Sequence, residues 1–224
     1  MLRQVHQPYP RLMSSVPLSP SQLSAPGTRI RPARPDDADA VIAIRNDAIR
    51  TSTALWIDTV PSEDAARAWA AEHVELGSML VAELLDGGAD PDGPADADLD
   101  SPGTDSTDRA ADRPEPVTAP PGRVVGFASH APLRPYDGYR WTAEDSVYLT
   151  ADAQGRGLGR ALLEALVPLA ASQGAHSLIG MIEASNTASI ALHESFGFTE
   201  TGRIPQAGRK FDRWLDLVIM QRLL

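Results

Sequence analysis

Two hydrophobic periods alternate along most of the chain. Short runs at 29–33, 79–83, 123–130, 146–150, 177–182, 198–203 and 214–221 predict strands, and longer stretches at 35–50, 62–76, 157–173 and 186–196 predict helices. In the first helix the apolar positions are Val41, Ile44, Ala48 and Ile49, and Pro35 with Asp36, Asp37 and Asp39 suits a helix start. In the second, Ser62 is the expected cap, with Ala65, Ala68, Trp69 and Val74 on the inner side. Pro168 is expected to kink the third. The order β-α-α-β-β-β-α-β-α-β-β implies an α/β fold, a mixed central sheet with helices on both faces.

Two segments break the pattern. Residues 86–122 carry Asp86, Asp90, Asp92, Asp96, Asp98, Asp100, Asp105, Asp108, Asp112 and Glu115 against Arg109 and Arg113, amid Gly, Pro, Ser and Ala. Such a stretch buries too little apolar surface to offset its ordering entropy, so a disordered acidic insertion between two strands is expected. Residues 1–27 are rich in Pro, Ser and Gln and lack the apolar core of a secretory signal, so a disordered tail is expected. One domain is then expected over 28–224.

The net charge of −10 argues against a general nucleic-acid binder, and no apolar run approaches a membrane span. With no cysteine, disulfides, thiolate metal sites and a cysteine nucleophile drop out together, which fits a cytoplasmic protein. No metal site is expected.

The chemistry starts at Gln154-Gly155-Arg156-Gly157-Leu158-Gly159-Arg160, between a predicted strand and a helix. Glycines let a ligand approach the backbone, and the first helical turn offers unpaired N–H groups to a phosphate or pyrophosphate. The Gly-Lys-Ser/Thr of a P-loop is absent, and the third glycine of a dinucleotide fingerprint falls on Arg160 or Leu162. A second block, 186–198, reads Asn-Thr-Ala-Ser-Ile-Ala-Leu-His-Glu-Ser-Phe-Gly-Phe. Asn186 can cap a helix, Ile190, Leu192 and Phe196 can anchor it, and Gly197 can end it.

The pattern Gln/Arg-x-x-Gly-x-Gly/Ala followed by this asparagine block resembles the acetyl-CoA signature of GNAT-fold acetyltransferases. Residues 51–56 (Thr-Ser-Thr-Ala-Leu-Trp), 141–149 and 206–211 (Gln-Ala-Gly-Arg-Lys-Phe) are similar to those of phosphinothricin and methionine-sulfoximine N-acetyltransferases. The resemblance implies direct acetyl transfer from acetyl-CoA, as co-substrate, to the amine of a small amino-acid-like molecule. It assigns Glu144 as general base, with Asp145 next in line, and His193 as proton donor to the leaving thiolate. It lays Val147, Tyr148 and Leu149 along the pantetheine, with the Leu149 N–H polarising the thioester carbonyl. It puts the pyrophosphate on Gln154, Gly155, Arg156, Gly157, Leu158, Gly159 and Arg160, and Asn186 and Ser195 beside the pantetheine. For the acceptor it points to Asp137, Gly138 and Tyr139, with Arg134 and Arg140 as cations for a carboxylate. It also implies a homodimer. A protein N-terminal acetyltransferase and a non-catalytic acyl-CoA sensor are the alternatives. The aromatic segment 136–141 speaks against the first and Glu144 against the second.

Overall fold

The computed structural model describes residues 27–85 and 122–224. The expected tail and acidic insertion lie outside the described residues, apart from their boundary glycines Gly27 and Gly122. Seven strands form one sheet: β1 (Thr28–Pro32), β2 (Met79–Leu84), β3 (Arg123–Pro132), β4 (Thr142–Leu149), β5 (Ser177–Glu183), β6 (Thr199–Lys210) and β7 (Arg213–Leu223). Their order across the sheet is β1-β2-β3-β4-β5-β7-β6, and only the β4–β5 pair is parallel. The helices are α1 (Ala38–Thr51), α2 (Glu63–Leu76), α3 (Leu158–Ser172) and α4 (Thr187–Ser195).

Strand alternation sorts the core onto two faces. Met79, Val81 and Phe127 point to α1 and α2, where they meet Val41, Ile44 and Trp69. Leu80, Ala82, Val125 and Ala128 point the other way, against Leu158, Leu162 and Leu166 of α3. Lower on that second face, Leu163 and Val167 pack with Leu178, Ile182 and Val218, joined by Ile190 and Leu192 of α4. The buried apolar residues of β2 and β3 thus have helices to pack on, while Ala131 and Pro132 at the end of β3 line a cavity. At the end of β2, Glu83 is fully buried, yet its carboxylate is held by Arg29 at 2.5 Å and also by Arg31, which in turn grips Asp37 at 2.7 Å. A buried charge of this kind is tolerable only when paired.

Several boundaries differ from the sequence reading. Pro35–Asp37 form a 3-10 turn and α1 starts at Ala38. The inner stripe of α2 is Ala66, Ala70 and His73, while Ala65 and Ala68 are exposed. The apolar-only reading passed over the histidine that completes the helical spacing. Ser62 does cap this helix, accepting from the Ala65 N–H at 3.3 Å. The helix α3 is uninterrupted through Pro168, whose ring faces solvent, so water can satisfy the carbonyl left without its N–H partner.

β4 begins at Thr142, four residues before the expected strand, and so takes in Glu144 and Asp145. The last two strands form a long hairpin rather than two short strands. They turn at Phe211 and Asp212, both at positive φ, the conformation a two-residue hairpin turn requires. Pro205 and Gly208 look like strand breakers, but β6 is an edge strand with a bulge between Ile204 and Gly208, where such residues are accommodated. Among the described residues no helix is long and apolar enough to cross a membrane.

Candidate active site

The sheet splits at its middle. β4 and β5 pair only over Thr142–Glu144 and Ser177–Ile179, and beyond that β5 continues on β7 alone. On the other side β4 stays paired with β3 to its end. The bonds Leu133 N–H to Thr142 O (3.0 Å) and Thr150 N–H to Val125 O (2.8 Å) bracket this ladder. Antiparallel pairing alternates, so the even-numbered residues of β4 bond to β3 and the odd-numbered ones turn their N–H and C=O away from it. For Val147 and Leu149 that direction is the split, just past the last β4–β5 rung at Glu144 and Ile179. A buried sheet rarely leaves such groups unmatched, and the backbone geometry of the split is one that an extended, amide-bearing ligand can pair with. Of the residues expected along the pantetheine, Val147 and Leu149 turn their backbone groups to the split. Tyr148 gives its backbone to β3 and its side chain to the opposite face of the sheet.

The glycine-rich turn closes one end of this split. Gly155 (φ 75°) and Gly157 (φ 77°) both adopt the left-handed conformation, and Gly157 immediately precedes α3. The first turn of α3 has neither a side-chain cap nor an acidic residue, so its N–H groups and dipole are available to an anion. A Cβ placed on Gly157 would meet nothing within 4 Å, so the approach to the backbone is open. Arg160 leans over the Phe196 ring (4.9 Å) and donates to Ser195 Oγ (3.1 Å), which joins the two cofactor segments singled out in the sequence. Asn186 caps α4 by accepting from Ser189 N–H at 3.1 Å. At the other end of α4, Gly197 N–H bonds Glu194 O and Phe198 N–H bonds His193 O, so the helix closes on the left-handed glycine. Split and helix start together match a pyrophosphate joined to an extended amide arm.

Neighbouring carboxylates of β4 face opposite sides of the sheet. Glu144 is half-buried and lines a cavity of about 210 Å³ together with Arg45, Trp69, His73, Ser129 and Tyr148. Burial raises its pKa above the ordinary carboxylate range. The Asp145 charge adds to this, and Arg134 partly offsets it. Burial likewise pushes the Tyr148 hydroxyl up to about 12, so it remains a neutral donor.

Asp145 points the other way and is buried against His193 of α4, Oδ1 to Nε2 at 3.1 Å. The other ring nitrogen, Nδ1, lies 2.7 Å from the Ser189 carbonyl, which can only accept. Nδ1 therefore carries hydrogen, and a proton must also sit between Nε2 and the carboxylate. Burial, the largest influence on His193, opposes the charged ring. The hydrogen bond and charge of Asp145, with the Ser189 carbonyl, outweigh it and raise the pKa. The ring is only 3 % exposed and abuts Gly180, where a Cβ would lie 3.0 Å from it. This places the pair where β4 and β5 begin to part.

The expected acceptor loop lies at the surface, near enough to the cavity for the Arg134 charge to act on Glu144. Arg134, Asp137, Gly138, Tyr139 and Arg140 are all exposed, and none lines the cavity. Arg140 stacks on Trp141 at 5.0 Å and bonds the Asp137 carbonyl. The cation in the cavity wall is Arg45, which the sequence reading missed. It lies on the inner stripe of α1, four residues after Val41, and an arginine at that spacing was the available signal.

The loop after α1 forms a further wall through Leu55. It is clamped from β6: Lys210, itself buried, donates to the carbonyls of Ser52 (2.7 Å) and Leu55 (2.5 Å). Thr53 reaches Glu183 at 3.1 Å.

Comparison with known proteins shows what the chain is similar to. A family profile described as Acetyltransferase (GNAT) family matches residues 89–198. An L-methionine sulfoximine/L-methionine sulfone acetyltransferase of Pseudomonas aeruginosa is 35 % identical over 192 residues, 86 % of this chain and 92 % of that one. A phosphinothricin N-acetyltransferase of Alcaligenes faecalis is 32 % identical over 87 % of this chain and 82 % of its own length. Among solved structures, yncA of Salmonella typhimurium, determined with its cofactor acetyl-CoA, superposes with a TM-score of 0.68. It is 36 % identical, over 88 % of this chain and 94 % of that one.

Proposed function

The chain belongs to the acetyltransferase (GNAT) family, and from that premise we propose that it acetylates the amine of a small amino acid of the methionine sulfoximine, methionine sulfone or phosphinothricin class. The observation that carries this reading is Glu144: a half-buried carboxylate of raised pKa that lines a cavity beside Arg45 and Trp69, on the strand that borders the split.

Acetyl-CoA supplies the acetyl group as a thioester. The acceptor arrives largely as an ammonium, since α-amines have pKa values near or above about 7.7–8.0, and it must lose a proton before it attacks. Glu144 is the base that takes it, directly or through one water, and its raised pKa brings its basicity closer to that of the amine. The Leu149 N–H, directed into the split, polarises the carbonyl under attack. Asn186 and Ser195 flank the pantetheine, and residues 154–160 hold the pyrophosphate. Both ring nitrogens of His193 are engaged. This supports a role in holding β4 against α4 and keeping positive charge at the vertex of the split, where a thiolate would develop, rather than in handing over a proton. The absence of cysteine supports direct transfer.

The proposal includes a homodimer. Ile204, Phe211 and Trp214 are exposed apolar residues of the β6–β7 hairpin, which forms the edge of the sheet. The test of the function is an acetyl-CoA consumption assay over a panel of free amino acids and peptides, with products identified by mass. Acetylation of methionine sulfoximine, methionine sulfone or phosphinothricin supports it, and acetylation of peptides alone overturns it.

A further inference from the structure

Arg45 is a half-buried cation with an aromatic support and no matched anion. Its guanidinium stacks over the Trp69 ring at 4.4 Å and lines the cavity that Glu144 lines. The contrast with Arg31 is instructive, because that guanidinium is locked between Asp37 and Glu83. Among the described residues no carboxylate forms an ion pair with Arg45. Its surroundings cost it solvation, and burial holds its pKa below the usual arginine value. Stacking uses the face of a guanidinium and leaves its in-plane N–H donors pointing outward, as a fork that matches a carboxylate or a similar oxyanion.

We propose that Arg45 is the specificity-determining residue of the acceptor site: it binds an anionic oxygen group of the amino acid while Glu144 serves the amine. The proposal rests on the acetyltransferase reading above. Trp69 fixes the plane of the guanidinium, which shares with Glu144 the lining of the cavity of about 210 Å³. Arg134, on the exposed loop, is near enough for its charge to act on Glu144, but the cation that lines the cavity beside Glu144 is Arg45. The oxyanion can be the α-carboxylate or an acidic side-chain group such as a phosphinate.

The test compares wild type, Arg45→Met and Arg45→Lys in steady-state kinetics with methionine sulfone, its carboxamide and phosphinothricin. Losing a hydrogen-bonded charge contact is expected to raise the KM for methionine sulfone roughly 10–100-fold in Arg45→Met. The kcat and the KM for acetyl-CoA are expected to stay within about threefold. The carboxamide is expected to lose little, so the wild-type preference for carboxylate over carboxamide collapses. A loss confined to phosphinothricin assigns Arg45 to the side-chain anion instead, and equally supports the proposal. Arg45→Lys keeps the charge without the fork, and is expected to show a smaller rise, again confined to anionic acceptors. A KM unchanged in both variants, or raised equally for the carboxamide, overturns the role of Arg45 alone. A wild type that turns over none of the three acceptors overturns the acetyltransferase reading and this inference with it.

Discussion

Trp56 and Gly208 touch so closely that no side chain fits between them: a Cβ on Gly208 would lie 2.2 Å from Cε3 of the indole. They belong to two sequence segments far apart in the chain, 51–56 and 206–211, which the fold brings together as the loop after α1 and the edge strand β6. Lys210, two residues on, closes the same contact by donating to Ser52 and Leu55. The clamp fixes Leu55 in the wall of the acceptor cavity.

Gly208→Ala is therefore expected to displace Trp56 and loosen that wall. Overpacking of this kind costs about 1–3 kcal/mol. The expected result is a lower Tm and a KM for the acceptor raised severalfold, with the KM for acetyl-CoA little changed. Thermal unfolding and steady-state kinetics measure both.

The His193–Asp145 pair makes an expectation for pH. In wild type the ring is expected to titrate above the ordinary histidine value of 6.5, because Asp145 and Ser189 outweigh burial. In Asp145→Asn the carboxylate is gone and burial acts against the ring charge, so the pKa is expected to fall below the wild-type value. NMR titration of the His193 ring in the two proteins checks the sign. A value unmoved by the substitution would show that Asp145 does not hold the charge.

Gly157 tests the cofactor site. Valine there must take φ near 77°, a strained conformation for a β-branched residue, and its methyls would stand in the open space over the helix start. Titration calorimetry is expected to show a strong loss of CoA affinity in Gly157→Val, with the KM for the acceptor less affected. Unchanged affinity in a folded variant would remove the loop from the site.

The backbone of the expected cofactor segments was legible in the sequence, because glycines before a helix and an asparagine cap write their demands locally. The opposition of Glu144 and Asp145 was not. It follows from β4 starting at Thr142, a boundary set by pairing to β3 and β5 rather than by the polar residues there. Arg45 was missed because apolar periodicity skips a charged residue on an inward stripe. The β6–β7 hairpin extends beyond the expected 198–203 and 214–221 because an edge position and a bulge accommodate Pro205 and Gly208 within β6.

The segments outside the described residues are expected to be dispensable for chemistry. Leu84 and Arg123 are paired at the ends of β2 and β3, so a short Gly-Ser link can replace residues 86–122 without strain on the hairpin. Loop entropy changes slowly with length. Removing 1–27 as well, kcat is expected to remain within about threefold in the standard assay. A folded but inactive deletion variant would give the insertion a function.

The central claim is that Glu144 removes the proton from the acceptor amine. Its direct test is the pH dependence of turnover with methionine sulfoximine in wild type and Glu144→Gln. The variant keeps the side-chain shape and removes the basicity, and a fall of roughly 10²–10⁴ is expected at pH 7. Because burial raises the Glu144 pKa, the wild-type acidic limb is expected above the ordinary value of 4.5 and to vanish in the variant. The gap between the two proteins is expected to narrow as pH rises and free amine becomes abundant, with acetyl-CoA affinity nearly constant. Near-normal turnover of Glu144→Gln at pH 7 would contradict the account.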